Sequence, residues 1–268
     1  IGSGKGGVGK SALTANLAAA LARRGRRVGA LDADLNGPSL ARMLGARPGR
    51  LGSGADAVRP AVGAAGVRVM SMDLLLESDD APVRWREPAA GTFAWQSTLE
   101  AGVLREFLAD IDWGALDLLL VDLPPGTDKL VRLLSFRRPD ALLLVSTPSK
   151  AARFVVAKSM RQAREAGLVA VGLVVNMDGY ACPSCGAHHR IWGEPSGESA
   201  DAEPAGPEPG RAEPEMDVWG RVPFEPALAA STDAGVPWTI ACPTSPAATA
   251  IEALADRLES ALAAVEAP

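Results

Sequence analysis

The sequence predicts an α/β fold, a three-layer, doubly wound and mostly parallel sheet, on three observations. Short apolar runs alternate with longer stretches of helical spacing, the pattern of βα units feeding a parallel sheet buried on both faces. A glycine-rich loop, Gly4-x-x-x-x-Gly9-Lys10-Ser11, leads straight into the first helical stretch. Two of the apolar runs end in aspartates, which puts carboxylates at the C-terminal edge of the sheet, where open α/β folds bind their ligands.

The elements follow in order. Only Ile1 and Gly2 precede the glycine loop, so the first strand is expected to be truncated and the native N-terminus to lie upstream, because a parallel sheet lacking that strand would leave a row of unpaired backbone groups in its interior. Helices are expected at 10–24, 98–110, 151–166 and 245–265, and strands at 27–31, 67–72, 116–121, 141–145 and 169–175. In the last helix Ile251, Leu254, Ala255, Leu258, Leu262 and Val265 recur at helical spacing, a stripe suited to docking on the core. The stretch 194–216 is rich in proline and acid and has no aromatic or branched apolar residue, so it reads as a disordered surface insertion.

Composition narrows the function. At 268 residues and 47% hydrophobic the chain can bury the core of one domain, and a single domain over 1–268 is expected. A formal net charge of −5 provides no global attraction for nucleic acid or anionic lipid, and no apolar run is long enough for a membrane span. Neither partner is expected. Three cysteines, an odd number, with no secretory signal argue against a disulfide scaffold and for a reducing cytoplasm.

The glycine loop carries the clearest chemistry. Gly4, Gly6, Gly7 and Gly9, with Val8 between them, allow successive backbone N–H groups to converge on an anion with little Cβ obstruction. Lys10 is placed to reach the β- and γ-phosphates of ATP, and the Ser11 hydroxyl to ligate Mg²⁺. The run at 116–121 ends in Asp122, the candidate Walker B carboxylate for Mg²⁺. The run at 27–31 ends in Asp32 and Asp34; Asp34 is the candidate for orienting the attacking water and Asp32 for supporting the metal shell. Pro125 and Gly126 form a candidate switch II, in which the Gly126 peptide senses the γ-phosphate.

Lys5 sharpens the picture. Ser3-Gly-Lys-Gly-Gly-Val-Gly-Lys-Ser11 resembles the deviant Walker A loop of the MinD/ParA ATPases and the nitrogenase iron protein. That resemblance implies a SIMIBI-type P-loop NTPase in which Lys5 crosses a dimer interface and acts on the partner's nucleotide, much as an arginine finger does.

A narrower resemblance rests on further motifs. Asp32-Ala-Asp-Leu-Asn-Gly-Pro-Ser39, Asp112-Trp-Gly114, Asp117-Leu-Leu-Leu-Val-Asp-Leu-Pro-Pro-Gly-Thr127, Ser146-Thr-Pro148, Val175-Asn-Met177 and Cys182-Pro-Ser-Cys185 together resemble the Mrp/NBP35 (ApbC) family of iron–sulfur cluster carrier ATPases. The resemblance implies a homodimer in which the Cys182 and Cys185 pairs of two chains hold a bridging [4Fe–4S] cluster, delivered to apo iron–sulfur proteins under control of ATP. It also implies that Asn176 hydrogen-bonds the adenine.

The thiols can be weighed by themselves. Two thiolates two residues apart can face one metal centre, but a stable cluster or tetrahedral zinc site needs about four ligands. Symmetry in a dimer supplies the other two. The alternatives are an intrachain zinc site of Cys182, Cys185, His188 and His189, giving a zinc-stabilised nucleotide-dependent adaptor, or a redox-active pair. A positioning ATPase like MinD or ParA is the other alternative, but the last helix sets Glu252, Asp256, Glu259 and Glu266 against one Arg257, a poor membrane anchor. Cys242, alone before Pro243, reads as a packing residue.

Overall fold

Strands and helices alternate along the computed structural model, which describes residues 1–47, 51–53, 58–76, 93–126, 138–182, 184–185, 187–192 and 217–266. The stretch 194–216, expected as an insertion, lies outside these residues. The first elements are β1 (Gly2–Ser3), α1 (Lys10–Arg23), β2 (Val28–Asp32), α2 (Leu40–Met43), β3 (Gly52–Ser53), β4 (Val58–Arg59), β5 (Ala61–Val62) and β6 (Arg68–Met70). Then come α3 (Phe93–Ala109), β7 (Leu118–Asp122), β8 (Ala141–Ser146), α4 (Lys150–Glu165), β9 (Ala170–Ala181) and β10 (His188–His189). β11 (Val218–Phe224), α5 (Pro226–Asp233), α6 (Trp238–Ala241) and α7 (Pro246–Glu266) complete the chain. By its contacts the chain divides into two units, residues 1, 10–124 and 227–244 in the first, and residues 2–9, 125–226 and 245–268 in the second.

The first unit is built on a four-stranded sheet in the order β5-β6-β2-β7. β2 runs parallel to both neighbours, and all five of its residues are buried, as a central strand covered on both faces requires. Its register sets Asp32 beside Asp122, so the two aspartates end adjacent strands. Ile1 joins the same ladder, its N–H donating to Val121 O and its carbonyl accepting from Leu123 N. α1 buries Leu13, Leu17 and Leu21 with a run of alanines whose small side chains permit close packing. Each fully buried leucine contributes about 2 kcal/mol. Asn16 on the same helix accepts the Thr239 N–H at 3.0 Å and its carbonyl accepts the Thr239 hydroxyl, which ties α6 to α1 through fully buried polar groups.

The second unit carries a five-stranded sheet in which β1, β8 and β9 lie side by side, with β10 and β11 also pairing β9. β1, β8 and β11 are parallel to their partners and β10 is antiparallel. The short first strand is therefore paired: Gly2 aligns with Leu144 and Ser3 with Val145. Gly172 on β9 makes room for Trp219 of β11, since a Cβ there would stand 2.1 Å from the indole ring. α7 covers β11, burying Ile251, Leu254, Ala255 and Leu258, while Val265 at the end of the stripe is exposed. Its first turn is capped by Ser245 Oγ, which accepts the Ala248 N–H, and by Glu225, which accepts the Ala247 N–H at 2.8 Å.

Candidate functional site

Lys10 and Ser11 begin α1, and Asp122 ends β7, so the helix start and the strand end bring three predicted residues of the first unit together. Lys10 Nζ lies 2.8 Å from Asp122 Oδ1, and the Ser11 hydroxyl donates to Asp122 Oδ2 at 2.6 Å. A residue not singled out from the sequence completes the set: Thr14, one turn further along α1, donates to Asp122 Oδ1 at 2.9 Å. Asp122 is fully buried and Lys10 nearly so, which makes the pair a high-stakes one; removing either partner leaves a buried charge uncompensated. The position of Thr14 at i+4 from Lys10 was the available signal, because such residues share a helix face.

Asp32 sits on the neighbouring strand and is spent on its own loop. Its Oδ1 accepts the N–H of Asp34, and its Oδ2 accepts the N–H groups of Ser39 and Leu40, both at 2.9 Å, and the Ser71 hydroxyl. Burial, and secondarily the Asp122 carboxylate, push its pKa up from 3.8 to about 7, against the opposing effect of those three backbone donors. Ser71 was not foreseen, since nothing in its local sequence marks it. Asp34 is half-buried, and its Oδ1 accepts the Gly37 N–H, closing an Asx-type turn that shapes the loop between β2 and α2.

The glycine half of the phosphate loop belongs to the second unit. Gly7 and Gly9 have φ of 76° and 81°, values that L side chains rarely adopt. Gly4 is required for a different reason: a Cβ there would stand 2.3 Å from Val155 of α4. Asn176 on β9 donates from Nδ2 to the Val8 carbonyl at 2.8 Å, and that same atom would be 2.3 Å from a Cβ on Gly9. The predicted adenine contact thus sits against the phosphate loop. Gly126 donates its N–H to Ser3 O at 3.0 Å, and the Pro125 ring lies 4.0 Å from the Cβ position of Gly6, so the two residues expected to form switch II rest on the loop's beginning. Lys5 is exposed, and its carbonyl accepts the Ser3 hydroxyl.

Cys182 and Cys185 lie at the turn between β9 and β10. The turn is closed by Cys182 N donating to Ala187 O at 2.9 Å and by the antiparallel pairing of His189 with Tyr180. Cys182 is half-buried and Cys185 exposed, and neither is in a disulfide. The Ser184 N–H, followed by the N–H and thiol of Cys185, holds the Cys182 thiol below its usual pKa, favouring the thiolate. Among the described residues no group of three or more His, Cys, Asp or Glu gathers to hold a metal. Two thiols are what this turn presents.

Comparison with known proteins places these features. The family model described as ParA, NUBPL iron-transfer P-loop NTPase, matches residues 1–259. An iron-sulfur cluster carrier protein of Saccharolobus solfataricus is 36% identical over 258 residues, covering 96% of this chain and 80% of the relative. The cytosolic Fe-S cluster assembly factor NUBP2 of Bos taurus is 35% identical over 264 residues, covering 96% and 90%. Among solved structures, a nucleotide-binding protein from Archaeoglobus fulgidus in complex with ADP superposes with a TM-score of 0.67 at 31% identity, over 88% of this chain and 84% of that one. The cell division ATPase MinD of Pyrococcus furiosus follows with a TM-score of 0.61 at 25% identity, over 97% of each chain.

Proposed function

The chain belongs to the NUBPL iron-transfer P-loop NTPase family, and from that premise we propose that it is an ATP-dependent iron–sulfur cluster carrier working as a homodimer. The observation that carries this reading is the hairpin turn offering two accessible thiols, Cys182 and Cys185, in a chain that also pairs Lys10 with Asp122 at the end of a phosphate loop. Two such turns, one from each chain, supply the four thiolates that a [4Fe–4S] cargo needs. The acceptors are apo iron–sulfur proteins of the cytoplasm, a compartment suggested by relatives named as cytosolic assembly factors. No helix among the described residues is long and apolar enough to cross a membrane.

The geometry at Asp122 supports the ATPase half of this reading. A nucleotide in the loop draws Lys10 from Asp122 onto the β- and γ-phosphates. The freed carboxylate and the Ser11 hydroxyl, 2.6 Å apart, are hard oxygen donors of the kind Mg²⁺ selects, and they are the residues to hold it. The ion when bound neutralises charge on the phosphate oxygens. Asp32, with its oxygens committed to the loop of Asp34, would support the metal shell only indirectly, by fixing that loop. Asp34 orients a water whose oxygen bonds the γ-phosphorus while the bond to the β–γ bridging oxygen breaks and ADP leaves with the electron pair. Lys5 of the other subunit compensates the charge developing in that step, which makes hydrolysis conditional on dimerisation.

Anaerobic reconstitution with iron and sulfide tests this. The expected product is brown and holds about four iron and four sulfide per dimer, and C182S and C185S each lose it. Purification with zinc alone, and no uptake of iron, would sink the carrier reading in favour of a zinc-stabilised adaptor.

A further inference from the structure

Met177 lies within β9 yet has φ of 58°. A residue with a Cβ holds that conformation only where its surroundings over-determine it. Two surroundings do so here. On one side Asn176 grips the Val8 carbonyl, and the Met177 Cε itself lies 3.5 Å from the Cβ position of Gly9, so the Asn176–Met177 pair is fitted to the phosphate loop. On the other side the Met177 carbonyl accepts the indole N–H of Trp192 at 2.9 Å.

Trp192 is on the far arm of the cysteine hairpin. It follows β10, whose His189 pairs with Tyr180 and stacks against it with ring centroids 6.5 Å apart. Trp192 is 42% exposed, so the residue is open to water and burial does not compel the bond to Met177. The phosphate loop and the hairpin carrying Cys182 and Cys185 therefore hold the same strained residue from its two sides.

We propose that Met177 and Trp192 are positioning residues that couple nucleotide binding at Val8 and Gly9 to the exposure of Cys182 and Cys185. The identities of the two ligands rest on the function proposed above. Phosphate on the loop's N–H groups reorients the Val8–Gly9 peptide, and Asn176 passes that movement to Met177. The left-handed and extended wells of Met177 are discrete, so the response is a switch: in the extended well its carbonyl turns and the Trp192 bond is released. By linkage, a ligand on the two thiols shifts nucleotide affinity by the same factor.

The test needs no cluster. Rates of iodoacetamide alkylation at Cys182 and Cys185 of the full apo chain are measured by mass spectrometry with and without saturating Mg²⁺ and a non-hydrolysable ATP analogue, with Cys242 as internal reference. Nucleotide is expected to change the rate at the hairpin relative to Cys242 by about fivefold or more. Trp192→Phe keeps the ring and removes the donor; Met177→Gly makes both wells equally accessible. Each is expected to cut the nucleotide effect to below about twofold while saturation is still reached. A full effect in Trp192→Phe, or none in the wild type, overturns the coupling. Iron and sulfide content is measured separately, so loss of the carrier reading with coupling intact is distinguishable from the reverse.

Discussion

Asp32→Asn changes one atom of a buried carboxylate and should remove the loss of stability with rising pH that this site contributes. The group is 1% exposed, and burial with the Asp122 charge pushes its pKa from 3.8 to about 7. Because the folded value is the higher one, its stabilising effect is fully present below pH 3.8 and is lost as the pH rises through 7. A shift of about 3 units at about 1.4 kcal/mol per unit amounts to about 4 kcal/mol lost by pH 8, of which about 3 kcal/mol is lost between pH 5 and pH 8. Asparagine keeps an oxygen for Ser39 and Leu40 but turns an amide toward the Asp34 N–H, which costs about 1–3 kcal/mol at every pH. The variant is therefore near wild type at pH 5 and more stable by about 1–3 kcal/mol at pH 8. Urea unfolding followed by far-UV circular dichroism, in EDTA and without nucleotide, measures both. Titrating groups that do not interact with Asp32 are common to the two proteins and cancel in the difference; Asp122, its neighbour, does not cancel and adds to that difference. A stability difference that is the same at pH 5 and pH 8 would refute the assignment of a raised pKa to Asp32.

The remaining predictions concern the loop and the sheet. Lys10→Ala should abolish ATP binding in calorimetry, and should destabilise the apo protein by about 3–5 kcal/mol because Asp122 loses its buried cation. Lys5→Ala should leave ATP binding within about twofold while lowering phosphate release about a hundredfold or more; equal rates would rule out its action across the dimer. Gly172→Ala should lower the melting temperature, with a loss of about 1–3 kcal/mol or more, because the new methyl group meets the Trp219 ring. A melting curve unchanged from wild type would show that β9 and β11 are less tightly packed than described.

Much of the fold was legible because parallel strands buried on both faces are unbroken apolar runs. The strand expected at 27–31 is β2, Val28–Asp32, and that at 141–145 is β8, Ala141–Ser146, each within a residue. The run expected at 169–175 extends to Ala181 as β9, since pairing with β10 and β11 carries the strand past the polar Asn176, Asp178 and Gly179. β11 itself was not legible. It contains Gly220 and Pro223 and follows an acidic, proline-rich stretch, and it is defined by its partner β9 more than by its own pattern. In the site, Lys10, Ser11 and Asp122 were readable because motif spacing and strand ends fix them. The donors around Asp32 were not, because Ser71 comes from 39 residues away and the rest are backbone N–H groups. Met177 stands out in the sequence only as the end of Val175-Asn-Met177; a left-handed backbone at methionine has no signature in sequence.

Native mass spectrometry of anaerobically reconstituted protein, sprayed with Mg²⁺ and ATP, bears most directly on the carrier function. The expected species is a dimer holding one four-iron, four-sulfide cluster, absent in C182S and in C185S. A monomer or dimer carrying one zinc per chain and no cluster would contradict it.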